Sequence, residues 1–209
     1  MDILATLLHF FQKGGWMMYP IALVLACSVA IALERWVFLG RVERQNRKIW
    51  QSAAPLLTKG DLGALEQLSS GSPAAVARIF TAGLTQAKVD RHRNEVETAT
   101  EQALMEVLPA LEKRTHYLAT FSNMSTLLGL LGTVIGLIAA FAALGAADPT
   151  EKADLLSAGI SEAMNCTAFG LIVAIPSLIV HAYLQAKTTE LVDSLEAACA
   201  KLVSAVARK

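Results

Sequence analysis

The sequence predicts an all-α polytopic membrane protein, and three observations carry that prediction. Hydrophobic residues make up 54% of the chain against 17% charged, and the mean hydropathy is +0.46, a balance foreign to soluble domains. Three apolar runs, near 21–39, 117–147 and 155–180, match or exceed the roughly 20 residues a helix needs to cross the hydrocarbon core. The second run contains no charged side chain, and the third contains one, Glu162.

The elements follow in order. Residues 1–15 read as an interfacial helix, because Ile3, Leu4, Leu7, Leu8, Phe10 and Phe11 form an apolar face too short to span a bilayer. Gly14-Gly15 breaks it, Trp16 and Tyr19 stand at the headgroup level, and Pro20 suits the first turn of the next helix. The first span covers residues 16–39. Its Glu34-Arg35 forms a pair or an interfacial anchor, and the anchor is the preferred reading. With no positive leader or small-residue cleavage site ahead of it, this span is expected to remain as an anchor.

Residues 40–116 are polar and patterned for short helices, with turns at Lys59-Gly60-Asp61 and Ser69-Ser70-Gly71-Ser72-Pro73. Arg91-His92-Arg93 with Glu95 and Glu97 reads as a solvated helix face. From about Asn94 a helical pattern continues into the second span, residues 117–145, with a kink expected at Pro109. After a short connection, residues 146–154, Asp148-Pro149-Thr150-Glu151 has the form of a helix start. The third span covers 155–184. The tail, 185–209, keeps helical spacing through Leu191, Leu195, Leu202 and Val206 and is expected to pack on the helix leading into the second span.

Charge sets the expected orientation. The segment from Arg41 to Arg114 holds 11 Lys and Arg residues and the tail holds 4, against Lys13 alone before the first span and Lys152 alone between the second and third. By the positive-inside rule, the N-terminus is periplasmic and the large loop and tail are cytoplasmic. The 18 basic and 18 acidic residues leave no basic patch for nucleic acid. Cys27, Cys166 and Cys199 lack the spacing of a disulfide or zinc site and read as free and buried. Nothing in the four scattered histidines, or elsewhere, has the pattern of an enzyme site, a cofactor site or a metal site. His181, at the end of the third span, is the one histidine to watch.

Helical phase places small and hydroxylated residues on one face of each of the last two spans. On the second these are Ser122, Thr126, Gly129, Thr133 and Gly136, and on the third Ala163, Thr167, Gly170, Ala174 and Ser177. Such stripes allow close helix packing, and phase alone favours that account, since a threonine can bond back to its own helix. A pore or partner-binding lumen is the alternative. An intramembrane carboxylate weighs toward it, because ionisable groups in spans mostly face interiors or water-filled paths. Glu162 stands five residues before Thr167, far around the helix, so one lumen takes both only if neighbouring subunits contribute different faces.

Leu128-Gly129-Leu130-Leu131-Gly132-Thr133-Val134-Ile135-Gly136, followed by Ile160-Ser161-Glu162-Ala163, Thr167-Ala168-Phe169-Gly170-Leu171 and Val173-Ala174-Ile175-Pro176, resembles the MotA/TolQ/ExbB inner-membrane proton-channel family, ExbB and TolQ above all. Asn165 and Cys166 depart from its pattern of small apolar residues. The resemblance implies a pentameric ring in a bacterial inner membrane, with long helices extending into the cytoplasm. Its second and third spans line a lumen that holds a dimer of an ExbD/TolR-like one-span subunit. It further implies that proton flow drives a TonB-like or TolA-like protein, with Thr133 and Thr167 as hydrogen-bonding lumen hydroxyls and Glu162 as local negative charge. A non-conducting membrane scaffold and a small transporter are the rival readings; a transporter would call for paired helix interruptions that the sequence lacks.

Overall fold

A computed structural model describes residues 14–146, Asp148 and residues 150–207. Among these the chain forms six helices: α1 (Met18–Lys59), α2 (Leu62–Ser70), α3 (Ala75–Val89), α4 (Arg93–Glu112), α5 (Thr115–Ala146) and α6 (Lys152–Ala207). Three helical stretches, Met18–Lys59, Arg93–Gly145 and Lys152–Ala207, are long and apolar enough to cross a membrane. At 1.5 Å per residue α1 and α6 measure roughly 63 and 84 Å, at least twice the roughly 30 Å hydrocarbon core, so each leaves the bilayer as a helix.

Residues cluster into two compact units. Of the described residues, the first contains those up to Leu33 together with those of Arg114–Ala182, and the second contains Glu34–Lys113 with those from Tyr183 onward.

Several expectations need correction. The interfacial helix at 1–15 lies almost entirely outside the described residues; Gly14 and Gly15 sit in the turn ahead of α1. Short helices do not begin at residue 40, because α1 continues to Lys59. A single glycine at position 40 cannot stop a helix whose buried positions go on at seven-residue steps through Leu39, Asn46 and Ala53. Pro109 does not kink a continuous helix. It lies within α4, and the break comes at Lys113-Arg114, where Arg114 takes the left-handed conformation (φ 65°). The third-span helix starts at Lys152 rather than at Asp148, whose carbonyl accepts the Glu151 N–H at 3.0 Å in the preceding turn; Pro149 lies outside the described residues. Arg91 and His92 belong to the loop between α3 and α4, where the exposed Asp90 carboxylate bonds His92, so only the later part of that charge run is helical.

The two expected turns are present. Gly60 takes φ 71° after α1, and Asp61 caps α2 by accepting the Ala64 N–H at 3.1 Å. The tail is the end of α6, one unbroken helix with the third span, and Leu191, Leu195, Leu202 and Val206 are buried along it. At Gly83 of α3 an added Cβ would stand 2.6 Å from both Leu202 Cδ2 and Thr100 Cγ2, so the tail meets α3 as well as the expected α4.

Arg35 is not an interfacial anchor. It is 2% exposed, and its guanidinium donates to the Ala110 and Leu111 carbonyls at the end of α4. The last four carbonyls of a helix lack partners in their own helix, so this fork caps α4 from α1.

Cys27 is exposed, contrary to expectation, while Cys166 and Cys199 are buried. Burial pushes the Cys199 thiol up to about 11 from its ordinary 9.0. The folded protein therefore keeps this thiol neutral at a pH where the unfolded chain ionises it, and stability is lost as pH rises from about 9 toward 11. At pH 8, maleimide labelling of Cys199 is expected to be slow in the folded protein and fast after denaturation; equal rates would place the thiol at the surface.

Candidate functional site

The two small-residue stripes meet each other. Gly129, Gly136, Ala163, Gly170 and Ala174 are all buried in a seam between α5 and α6. A Cβ on Gly170 would lie 2.6 Å from the Ser125 carbonyl oxygen, and one on Gly136 would lie 3.0 Å from the Ala163 Cβ. The pairing runs in opposite directions along the two helices: Ser122 with Ala174, Gly129 with Thr167 and Gly170, Gly136 with Ala163, and Ala140 with Gly159. The close packing that phase favours is what these residues do within one chain.

Hydroxyls stitch the seam. Ser122, itself buried, donates across it to the Ala174 carbonyl at 2.7 Å, and Thr167 donates across it to the Gly129 carbonyl at 2.8 Å. Other hydroxyls bond within their own helix: Thr126 to Ser122 at 3.2 Å, Thr133 to Leu130 at 2.6 Å, and Ser177 to Val173 at 2.8 Å. Thr133 and Thr167 are half-buried, whereas Thr126 is exposed.

Burial along the seam follows a seven-residue repeat. The repeat takes in Leu118, Ser122, Ser125, Gly129, Gly132 and Gly136 on α5 and Ala163, Cys166, Gly170, Val173 and Ser177 on α6; Ala140 and Ala174 are buried outside it. Steps alternate between three and four, the spacing of two helices that pack along their length. Ser125 and Gly132 are absent from the stripes that helical phase predicts, and Cys166, expected to be free and buried, takes a place in the seam as well, although this alternation was there to be read. A Cβ on Gly132 would fall 2.1 Å from Cys166 Sγ, so the cysteine that departs from the family pattern fills the space opposite a glycine.

The repeat also assigns the flanks. Thr126, Thr133 and Thr167 each stand one residue after a buried position. In an antiparallel pair such positions fall on the same side, so these three threonines share one flank of the seam. Leu128, Ile135, Phe169 and Glu162 each stand one residue before a buried glycine, alanine or hydrophobic, and share the other. The helix α1 covers that second flank, because Met17, Ile21 and Leu25 pack with Leu128, Ile135, Phe169, Cys166 and Val173. Glu162 is exposed, and its carboxylate lies against Gly15 at the entry to α1; a Cβ there would fall 1.9 Å from Oε1, and Gly15 has φ 71°. The structure thus sets Thr133 and Thr167 on one flank of the seam and Glu162 on the other.

Residues 72–197 match the family model described as the MotA/TolQ/ExbB proton channel family, a stretch that takes in both helices of the seam. The chain belongs to that family. Among its relatives is an ExbB-like 3 biopolymer transport protein of Synechocystis sp., 30% identical over 80% of each chain. An ExbB homolog of Methanothermobacter thermautotrophicus is 31% identical over 93% of this chain and 68% of its own. The Tol-Pal system protein TolQ of Pseudomonas aeruginosa is 27% identical over 82% of this chain and 81% of its own. As a MotA/TolQ/ExbB protein the chain is a membrane-embedded member of a proton-channel stator family. The seam itself carries hydroxyls and glycines but no carboxylate: residues 117–147 hold no charge, and the one acid of the third span is on the flank opposite the threonines.

Proposed function

We propose that this chain is the ExbB/TolQ-type stator subunit of a proton-driven motor in a bacterial inner membrane, working as a homopentamer. The second and third spans of the five copies surround a dimer of an ExbD/TolR-like one-span subunit, and proton flow through the assembly is passed to a TonB-like or TolA-like protein. The N-terminus is periplasmic and the polar helices and C-terminus are cytoplasmic. The observation that carries this reading is the threonine flank: Thr133 and Thr167, both half-buried, stand on the same edge of the seam, the one opposite the flank that α1 covers.

Each of these hydroxyls uses its proton on a backbone carbonyl, which leaves its oxygen lone pairs free to accept from water or from a protonated carboxylic acid. A relay through low dielectric also needs an ionisable group near the midplane, and the uncovered flank supplies none, so the partner brings it. Glu162 adds negative charge beside the entry of the first span. One elementary charge crossing 100 mV yields about 2.3 kcal/mol, enough to bias a mechanical step.

The test is proton flux into proteoliposomes containing a pH-sensitive dye under an imposed potential. The chain alone is expected to leak little, and to conduct when reconstituted with a one-span, Asp-bearing subunit. Thr167→Val is expected to abolish that flux while the oligomer persists in detergent, and Thr167→Ser to retain most of it; Thr133→Val and Thr133→Ser are expected to follow the same order. Rapid flux through the chain alone, indifferent to both valine variants, would overturn the reading. If valine and serine variants fail alike and with loss of the oligomer, the threonines serve packing only, as in a non-conducting scaffold.

A further inference from the structure

A cavity of about 400 Å³ opens within the second unit, between α1 and the tail portion of α6. That volume is within the range of small-ligand sites. Its lining includes the apolar Trp50, Val76, Leu191 and Leu195 and the charged Arg47, Lys187, Lys201, Glu43 and Glu190. Glu43 is already paired, since its carboxylate meets Lys187 Nζ at 2.6 Å, and Lys201 Nζ stands 4.8 Å over the Trp50 ring.

The informative residue is Asn46, which lines the cavity and is 6% exposed. Its Oδ1 accepts the Val76 N–H at 3.2 Å, at the start of α3, where the N-cap position Ala74 has no side chain that could do so. That bond fixes the amide orientation, because an N–H needs the oxygen and not the NH₂. The amide nitrogen, Nδ2, is consequently a buried donor, and it has no hydrogen-bond partner. Buried donors are normally satisfied, and a ligand oxygen in this cavity would satisfy this one.

Only the Glu43–Lys187 end of the cavity stands at headgroup depth: these two residues follow Leu39 and Leu184, the last apolar residues of the first and third spans, by roughly 5–6 Å of helix, whereas Asn46, Arg47 and Trp50 follow by roughly 10–17 Å and Lys201 by roughly 25 Å. We infer that this cavity binds phosphate oxygens, of an anionic phospholipid headgroup or of a soluble phosphate compound, with Asn46 Nδ2, Arg47 and Lys201 as donors beside the Trp50 ring. The inference is independent of ring formation and of proton conduction.

The experiment uses the full chain carrying Trp16→Phe and Trp36→Phe, which leaves Trp50 as the single tryptophan. Its emission is followed in detergent during titration with dihexanoyl phosphatidylglycerol, dihexanoyl phosphatidylcholine or inorganic phosphate. A saturable change with phosphatidylglycerol or with inorganic phosphate, and not with phosphatidylcholine, is expected. Asn46→Asp should raise the half-saturating concentration about tenfold or more, because it keeps the acceptor for Val76 but turns the donor into a repelling oxygen. Arg47→Gln, at an exposed position, should weaken binding without risk to the core. The same saturable change with inorganic phosphate, lost in Asn46→Asp, would support the phosphate site and move its source to solution. No saturable change in any arm, or Asn46→Asp and Arg47→Gln titrating like the parent, would overturn the inference.

Discussion

Gly170→Ala is expected to destabilise the α5–α6 pair by about 2–4 kcal/mol, although alanine is the better helix former by about 1 kcal/mol. The added methyl would stand 2.6 Å from the Ser125 carbonyl oxygen and 3.1 Å from the Gly129 Cα, both backbone atoms that cannot rotate away. The helices must separate, and overpacking of this kind costs about 1–3 kcal/mol by itself. Separation also stretches the bonds of Ser122 to Ala174 and Thr167 to Gly129, each worth about 0.5–1.5 kcal/mol. Thermal unfolding in detergent checks this, with Gly145→Ala as the control, since nothing lies within 4 Å of a Cβ there. Gly136→Ala should fall between the two, because its nearest contact, at 3.0 Å, is the small Ala163 side chain. Equal melting of the Gly170 and Gly145 variants would show that the seam is looser than described.

Arg35→Met is expected to cost more still, on the order of 3–5 kcal/mol, because two carbonyls each lose a hydrogen bond from a charged donor, worth about 1.5–3 kcal/mol apiece. The substitution removes the guanidinium donors of the Ala110 and Leu111 carbonyls, at a helix end where the Lys113 N–H bonds the Pro109 carbonyl. Arg35→Lys should be intermediate, because an ammonium retains the charge but not the planar fork that reaches two carbonyls. Limited trypsin digestion supplies a local reading: fraying of α4 exposes Lys113 and Arg114, so cleavage there should accelerate in Arg35→Met ahead of cleavage elsewhere. Unchanged digestion and unchanged melting would mean that the guanidinium is a bystander.

These two residues show different degrees of legibility. Gly170 was readable as part of a small stripe, because helical phase is a local property and the residues repeat at three and four. Arg35 was not. A cation near a span's end reads as an interfacial anchor, and nothing local reveals that the end of a helix some 75 residues later needs a donor. The same holds for Asn46, which reads as one polar residue among many until its oxygen is found capping α3, 30 residues on.

Helix breaks divide in the same way. Gly60 was legible because only a left-handed turn with its cap, Asp61, fits that spacing. The break at Lys113-Arg114 was not, since neither residue prefers φ near 65° and the local pattern put the irregularity at Pro109. Tertiary packing around the end of α4 made that choice.

What the sequence determined alone is the set of properties that follow from composition and phase: three apolar spans, a small-residue face on each of the last two spans, and the motifs that resemble the MotA/TolQ/ExbB family. What only the tertiary structure decided is which faces meet. Phase could group Ser122, Gly129, Thr133, Thr167 and Gly170 but could not say whether their stripes faced each other, a neighbour or water, because that choice depends on the other helices. Contact with α1 on the Leu128 and Phe169 flank settles Glu162 beside Gly15 and leaves the threonines on the free side, a partition made by packing between segments more than 100 residues apart in the chain.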